Sequence, residues 1–213
     1  MIFRRIAAVL AAGALAGAGL VFGAGSANAA SADAVIYATY PVNGSTTIKS
    51  TSSTMTLGPG TLVAALAVST DAITATMTLP EATGSFDALG FVPVTATTAF
   101  VQSGDITGQD VKGAFTGTAN VIIKLTDVKV AGIDVPVGDN CETRTPAVIG
   151  LSSGTGFNVL TGGPVSGTYS IPDFTGCGLI TTPLLNALIP GDGNTITLTL
   201  GKPSVSLTPP ASS

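Results

Sequence analysis

The chain has 213 residues, twelve acidic and eight basic, no histidine or tryptophan, and a formal charge of −4. Only 9% of its residues are charged, against roughly 25% in an average soluble protein. Without histidine, Ser-His-Asp or Cys-His chemistry and the common zinc sites are excluded, and the acidic balance with scattered cations excludes nucleic acid as an expected partner.

Arg4 and Arg5 precede the apolar run IAAVLAAGALAGAGLVFGAG, and Ala27-Asn28-Ala29 follows. That layout predicts a secretory signal peptide over residues 1–29, cleaved after Ala29. The run is rich in Gly and Ala and so weakly apolar; no retained transmembrane helix is expected. Cleavage removes two cations and no acid, moving the formal charge from −4 to −6. Residues 30–205 then suffice for a single domain with its own core, with a possible sub-boundary near Asp139. Residues 206–213 read as a flexible tail. The expected location is secreted or cell-envelope associated.

Val35 to Tyr40 predicts a first strand, stopped by Pro41 and turned around Asn43-Gly44, a pair that tolerates positive φ. Asn43-Gly44-Ser45 also matches a glycosylation acceptor, although the turn already explains it. Gly58-Pro59-Gly60 predicts another turn. TLVAALAVS reads as a strand rather than a short helix. Ile73, Ala75, Met77 and Leu79 alternate with threonines, so one face of that strand is buried and the other wet. Threonine suits a wet sheet face, since its branched Cβ favours extended backbone. Glu81 to Pro93 is turn-rich, with Phe86, Leu89, Phe91 and Val92 partly inward. Thr95–Gln102, Ala114–Ala119 and Val121–Val130 are expected strands, and SGDITGQDVKG a loop with a brief extended piece. Lys124 and Lys129 are placed on a solvated face or an edge, where they discourage stray pairing.

Further strands are expected at 147–151, 157–160 and 167–171, punctuated by Gly and Pro. TTPLLNALIPG is the one good helix, near residues 183–189, with Thr182 as cap, Pro183 in the first turn, and Leu184, Leu185, Leu188 and Ile189 inward. Thr195 to Leu200 alternates again, and KPSVSLTPPASS fades from an edge into the tail. The many short strands and Gly/Pro turns predict an all-β, sandwich-like pair of antiparallel sheets with this one short helix.

Cys141 and Cys177 are the only cysteines, and outside the cytoplasm a disulfide between them is the default. A metal site lacks histidine and CxxC spacing. Asp105/Asp110, Asp127/Asp134 and Asp139/Glu142 are the carboxylate pairs a glycosidase would need, but no aromatic interleaving accompanies them. Asp127, Asp134, Asp139 and Glu142 lack the EF-hand loop pattern for calcium. Lys49-Ser50 and Lys202 near Ser204 lack S-x-x-K spacing. No catalytic, cofactor or metal residue is therefore assigned, and an enzyme is not expected.

The phrases CETRTPAVIGLSSG and GTYSIPDFTGCGLITTPLLNAL are similar to those of an uncharacterised secreted cell-envelope family of actinobacteria, over Cys141 to Leu200. The resemblance implies an envelope location and carries no functional residues. The leading expectation is a non-enzymatic exported protein acting by surface binding or assembly, with an envelope protein, glycan or lipid as partner. The alternatives are a carrier of a lipid or small apolar ligand, motivated by the 45% apolar content, and an oligomeric envelope pore.

Overall fold

The computed structural model describes residues 34–210. The expected leader and its cleavage point lie outside the described residues, as do the last three residues of the tail. The strands are β1 (Val35–Ile48), β2 (Ser53–Ala67), β3 (Ala72–Thr78), β4 (Ala82–Ala88), β5 (Val92–Gln102), β6 (Ile106–Val111) and β7 (Ala114–Val130). They continue with β8 (Ile133–Asp134), β9 (Glu142–Thr143), β10 (Ala147–Ser153), β11 (Gly163–Ile171), β12 (Phe174–Thr175), β13 (Gly191–Leu200) and β14 (Ser204–Ser206). One helix, α1 (Thr181–Leu188), lies between β12 and β13.

Eight strands close a barrel in the order β1, β2, β3, β6, β7, β10, β11, β13, and β13 pairs back onto β1. This corrects the expected sandwich. A strand with one buried face shows the same two-residue alternation in either architecture. What separates them is long-range pairing: β7 takes β10 with Val121 opposite Ala147, and β13 returns to β1 with Leu200 opposite Val42.

The length of β7 organises the molecule. Its first half pairs with β6 on one edge and β10 on the other. Its second half pairs with β5, which continues the line of β6, and with β8 and β9, which lead into β10. Sequence reading divides this strand at Asn120, whereas the ladder runs straight through it. β4 extends the sheet beyond β5.

Other local expectations change for identifiable reasons. β1 does not stop at Pro41 or turn at Asn43-Gly44. Gly44 is needed instead for close approach, since a Cβ there would meet the Thr197 carbonyl and Leu198. The turn comes at Lys49 to Ser52. Gly58-Pro59-Gly60 lies within β2, at a register irregularity against β1 between Val42 and Gly44, a bulge that bends the strand. The stretch after Glu81 forms β4, and part of SGDITGQDVKG forms β6. Residues 157–160 are a loop, joined only by the bridge Asn158–Gly162. TLVAALAVS is a strand, as read.

The barrel is apolar inside and hydroxylated outside. Val42, Leu57 and Phe174 are fully buried, and Tyr40, Ile106 and Leu198 nearly so. On the exterior, Thr47 stands between Thr54 and Thr195 on neighbouring strands, with its Oγ1 3.1 Å from Thr54 Oγ1. Such cross-strand hydroxyl pairs are favourable and let the surface stay wet with few charges. Among the described residues no helix is long and apolar enough to cross a membrane.

Candidate functional site

The two ends of the barrel are built differently. At one end, β2–β3, β3–β6, β6–β7, β7–β10 and β10–β11 form an unbroken ladder, covered by the loop over residues 154–162. The Tyr40 hydroxyl holds this loop by donating to the Val159 carbonyl at 2.6 Å. Burial, and then the negative charge of Asp110, raises the Tyr40 phenol above its ordinary value. This loop end keeps a cavity of about 50 Å³ lined by Tyr40, Leu62, Met77, Phe115, Phe157 and Leu198 among others.

At the other end the ladder breaks. The first half of β2, Ser53 to Leu57, pairs with β1 alone, and β4 pairs with β5 alone. Among the described residues no backbone ladder joins β2 to β4, although the strands touch. Met55 sits directly over Gly84, in the space where any Cβ would stand. Where β3 and β5 diverge beside this seam, the Gln102 side chain substitutes for a strand. Its Oε1 accepts from the Met77 N–H at 2.7 Å and its Nε2 donates to the Ala75 carbonyl at 3.1 Å.

Helix α1 plugs this end. Leu185 and Ile189 point inward and are buried, whereas Leu184 is exposed and Leu188 half-buried, so the inward face is narrower than the four residues the sequence suggests. The helix starts after Ile180 without a side-chain cap. Thr182, the expected cap, instead accepts the Cys177 N–H at 3.1 Å. Two turns of helix are marginal alone, and polar ties supply what length does not. Asn186 accepts the Phe174 N–H at 2.7 Å and donates to the Phe174 carbonyl at 3.0 Å. Ser50 donates to the Ile189 carbonyl at 2.7 Å. The Cys141–Cys177 disulfide forms and joins the helix approach to the chain leading from β8 into β9.

Beneath the helix and behind the seam lies a second cavity, of about 40 Å³. Met55, Phe86, Phe100, Tyr169, Phe174 and Ile189 supply much of its wall, and Thr51, Ser53 and Thr98 bring hydroxyls to it. An apolar space with a few convergent polar groups is the usual form of a small-molecule site. Tyr169 shares a 2.6 Å hydrogen bond with Thr46, and burial raises its phenol, partly offset by that bond. Buried Asn194 locks the neighbouring turn by accepting the Lys49 N–H at 3.0 Å and donating to the Gly191 carbonyl at 2.8 Å. Val42, Leu57 and Ile149 belong to neither cavity lining and fill the barrel between the two.

The carboxylates of Asp127, Asp134 and Glu142 stand beside lysines. Lys129 lies 2.6 Å from Asp134 and 3.9 Å from Asp127, and Lys124 lies 2.8 Å from Glu142. The hydrogen bond to Asp134 raises the Lys129 pKa. These exposed pairs contribute little to stability. Asp110 Oδ1 accepts the Gly113 N–H at 2.7 Å in the β6–β7 turn, and its Oδ2 is buried without a partner. Among the described residues no three His, Cys, Asp or Glu side chains gather for a metal, so Asp127, Asp134, Asp139 and Glu142 do not form a calcium cage.

Sequence reasoning placed Phe86, Leu185 and Ile189 inward but did not bring them together. The available signal was the scarcity of aromatics, eight Phe and three Tyr, several of which converge at one end. No protein-family model, curated protein or solved structure matches the chain.

Proposed function

We propose that the protein is an exported, non-enzymatic barrel that carries a small apolar ligand in its helix-end cavity, admitted between β2 and β4. The observation that carries this reading is the coincidence of an apolar cavity with a stretch of barrel wall where, among the described residues, no backbone ladder joins β2 to β4. Opening the seam breaks side-chain contacts and no strand pairing, and Met55 is unbranched and adaptable enough to swing aside. About 40 Å³ is room for roughly three water-sized groups, which suits a short alkyl chain or the end of a longer one. Export rests on the leader pattern and on the resemblance to envelope proteins.

The pore alternative is disfavoured, since a membrane barrel needs an apolar exterior and a polar lumen and this barrel has the reverse polarity. Assembly through sheet faces has less support than ligand uptake, because the outward faces are hydrated hydroxyl rows.

Methyl-labelled methionine tests the reading. From Asp33 onward there are two methionines, Met55 on the helix-end cavity and Met77 on the loop-end one. Titration with hexanol should shift the Met55 methyl resonance saturably and leave Met77 in place. A response at Met77 alone, or at neither, would reject the assignment.

A further inference from the structure

The helix end presents apolar side chains to solvent on three neighbouring connections. Leu89 is 78% and Phe91 74% exposed in the β4–β5 turn, and Ile133 is 71% exposed just after the β7–β8 turn. Leu179 is 98% and Ile180 83% exposed between the disulfide and α1. Leu184 adds an exposed face of the helix itself. The connections belong together: the Ala131 N–H donates to the Pro93 carbonyl at 2.8 Å, and Thr181 Oγ1 to the Pro136 carbonyl at 3.5 Å.

The loop end also exposes apolar side chains, Val68 at 49%, Val111 at 57% and Leu160 at 66%, but its turns are built differently. Its tight turns place Asp71 and Lys112 at positive φ, 54° and 57°, whereas at the helix end the Lys49–Ser52 turn places Ser52 there, at 52°, and the β4–β5 and β7–β8 turns place Leu89 and Ala131 there, at 56° and 49°. Such positions favour Asn, Asp or Gly. A leucine held there with its side chain in solvent gains nothing from the fold.

We propose that these connections dock the barrel onto a neutral lipid surface. Leu89, Phe91, Ile133, Leu179 and Ile180 stand on three separate connections, each at least 71% exposed, which fits separate protrusions better than one packed patch that mates with a protein core. A deformable apolar medium accommodates separate wedges, and Phe91 supplies an aromatic anchor for the interface. The charge nearby selects the kind of lipid. Asp87, Asp134 and Asp139 flank the tips, and the nearby Lys129 is held by Asp134 at 2.6 Å. Anionic headgroups are therefore repelled and uncharged or zwitterionic ones tolerated. The polar turn Lys49 to Ser52 and Asp192 occupy the other side of the same end, so the barrel docks tilted, with its apolar side down. The surface stands on these tips alone and goes beyond the ligand reading; if both hold, the seam opens close to the bilayer.

The test is co-sedimentation of the chain from Asp33, the unit that carries all the described contacts, with phosphatidylcholine vesicles. Phe91→Ser and Ile180→Ser are each expected to weaken vesicle partitioning about tenfold, and Leu160→Ser, at an exposed loop-end position, to change nothing. Adding phosphatidylglycerol to the vesicles should weaken binding, most at low salt. The proposal is overturned if the parent chain stays in solution with neutral vesicles, if Leu160→Ser acts like Phe91→Ser, or if sedimentation velocity shows that the helix-end changes dissolve a dimer. The Met55 titration needs no vesicles, so the two readings fail separately.

Discussion

The loop end and the helix end of the barrel solve the same closure problem by different means. At the loop end each strand finds a neighbour, and backbone hydrogen bonds satisfy the wall. The cavity there, of about 50 Å³, lies behind an intact ladder, covered by one loop and held by one tyrosine hydroxyl. At the helix end the wall parts between β2 and β4, and the closure falls to side chains: Gln102 in place of a strand, Asn186 and Ser50 on the helix, Met55 over Gly84, and one disulfide. Ladders are satisfied along their whole length or leave unpaired edges, whereas side-chain closures open locally. That difference is why the proposed ligand route runs through the helix end.

The sharpest way to break this comparison is Phe174→Ala. Phe174 is fully buried and lies under α1, so truncation should cost about 3–5 kcal/mol in urea unfolding. Hydrogen exchange should lose protection around α1 and β12 first, with β6 and β10 following only on global unfolding. Equal loss at both ends would show that they are one cooperative unit. Replacing Cys141 and Cys177 together by Ser opens a bridge spanning 36 positions and should cost about 3–4 kcal/mol. Again the helix approach should loosen before the loop end, as limited proteolysis near Leu179 would reveal.

Smaller effects probe the loop end. Tyr40→Phe removes the bond to Val159 and should cost about 1 kcal/mol, with faster exchange confined to residues 154–162. A comparable acceleration in α1 would contradict the separation of the ends. The mildest probe is alkaline pH. Burial raises Tyr40 and Tyr169 above 10.0, so above that pH the unfolded chain has released protons that the folded chain still holds. Stability contributed by the neutral phenols is complete below pH 10.0 and falls as pH rises through the folded values. Thermal melts should record that decline, and Tyr169→Phe should flatten it.

Much of this was legible residue by residue. Ile196, Leu198 and Leu200 point inward, Thr195, Thr197 and Thr199 outward, as a period of two requires. The helix is announced by Pro183 and ended by Pro190-Gly191. The errors fall where tertiary contact changes the meaning of a residue. Asn43-Gly44 reads as a turn, yet Gly44 is there to let β13 approach. Gly58-Pro59-Gly60 reads as a turn, yet pairing with β1 on both sides of it carries β2 past it. Residues 157–160 read as a strand, yet they find no ladder and fold over the barrel mouth.

The sequence by itself determined that this chain is β-built, which face of the alternating strands β3 and β13 is dry, where helix α1 lies, and that two cysteines are available to be joined. Those properties are local, set by side-chain period, backbone preference and composition. Only the tertiary structure decided that the sheet closes on itself, that its wall parts between β2 and β4, and that Met55, Phe86, Phe174 and Ile189 meet there. Partner choice between strands depends on hydrogen bonds and packing among residues far apart in the chain, and alternation looks the same whichever neighbour a strand takes.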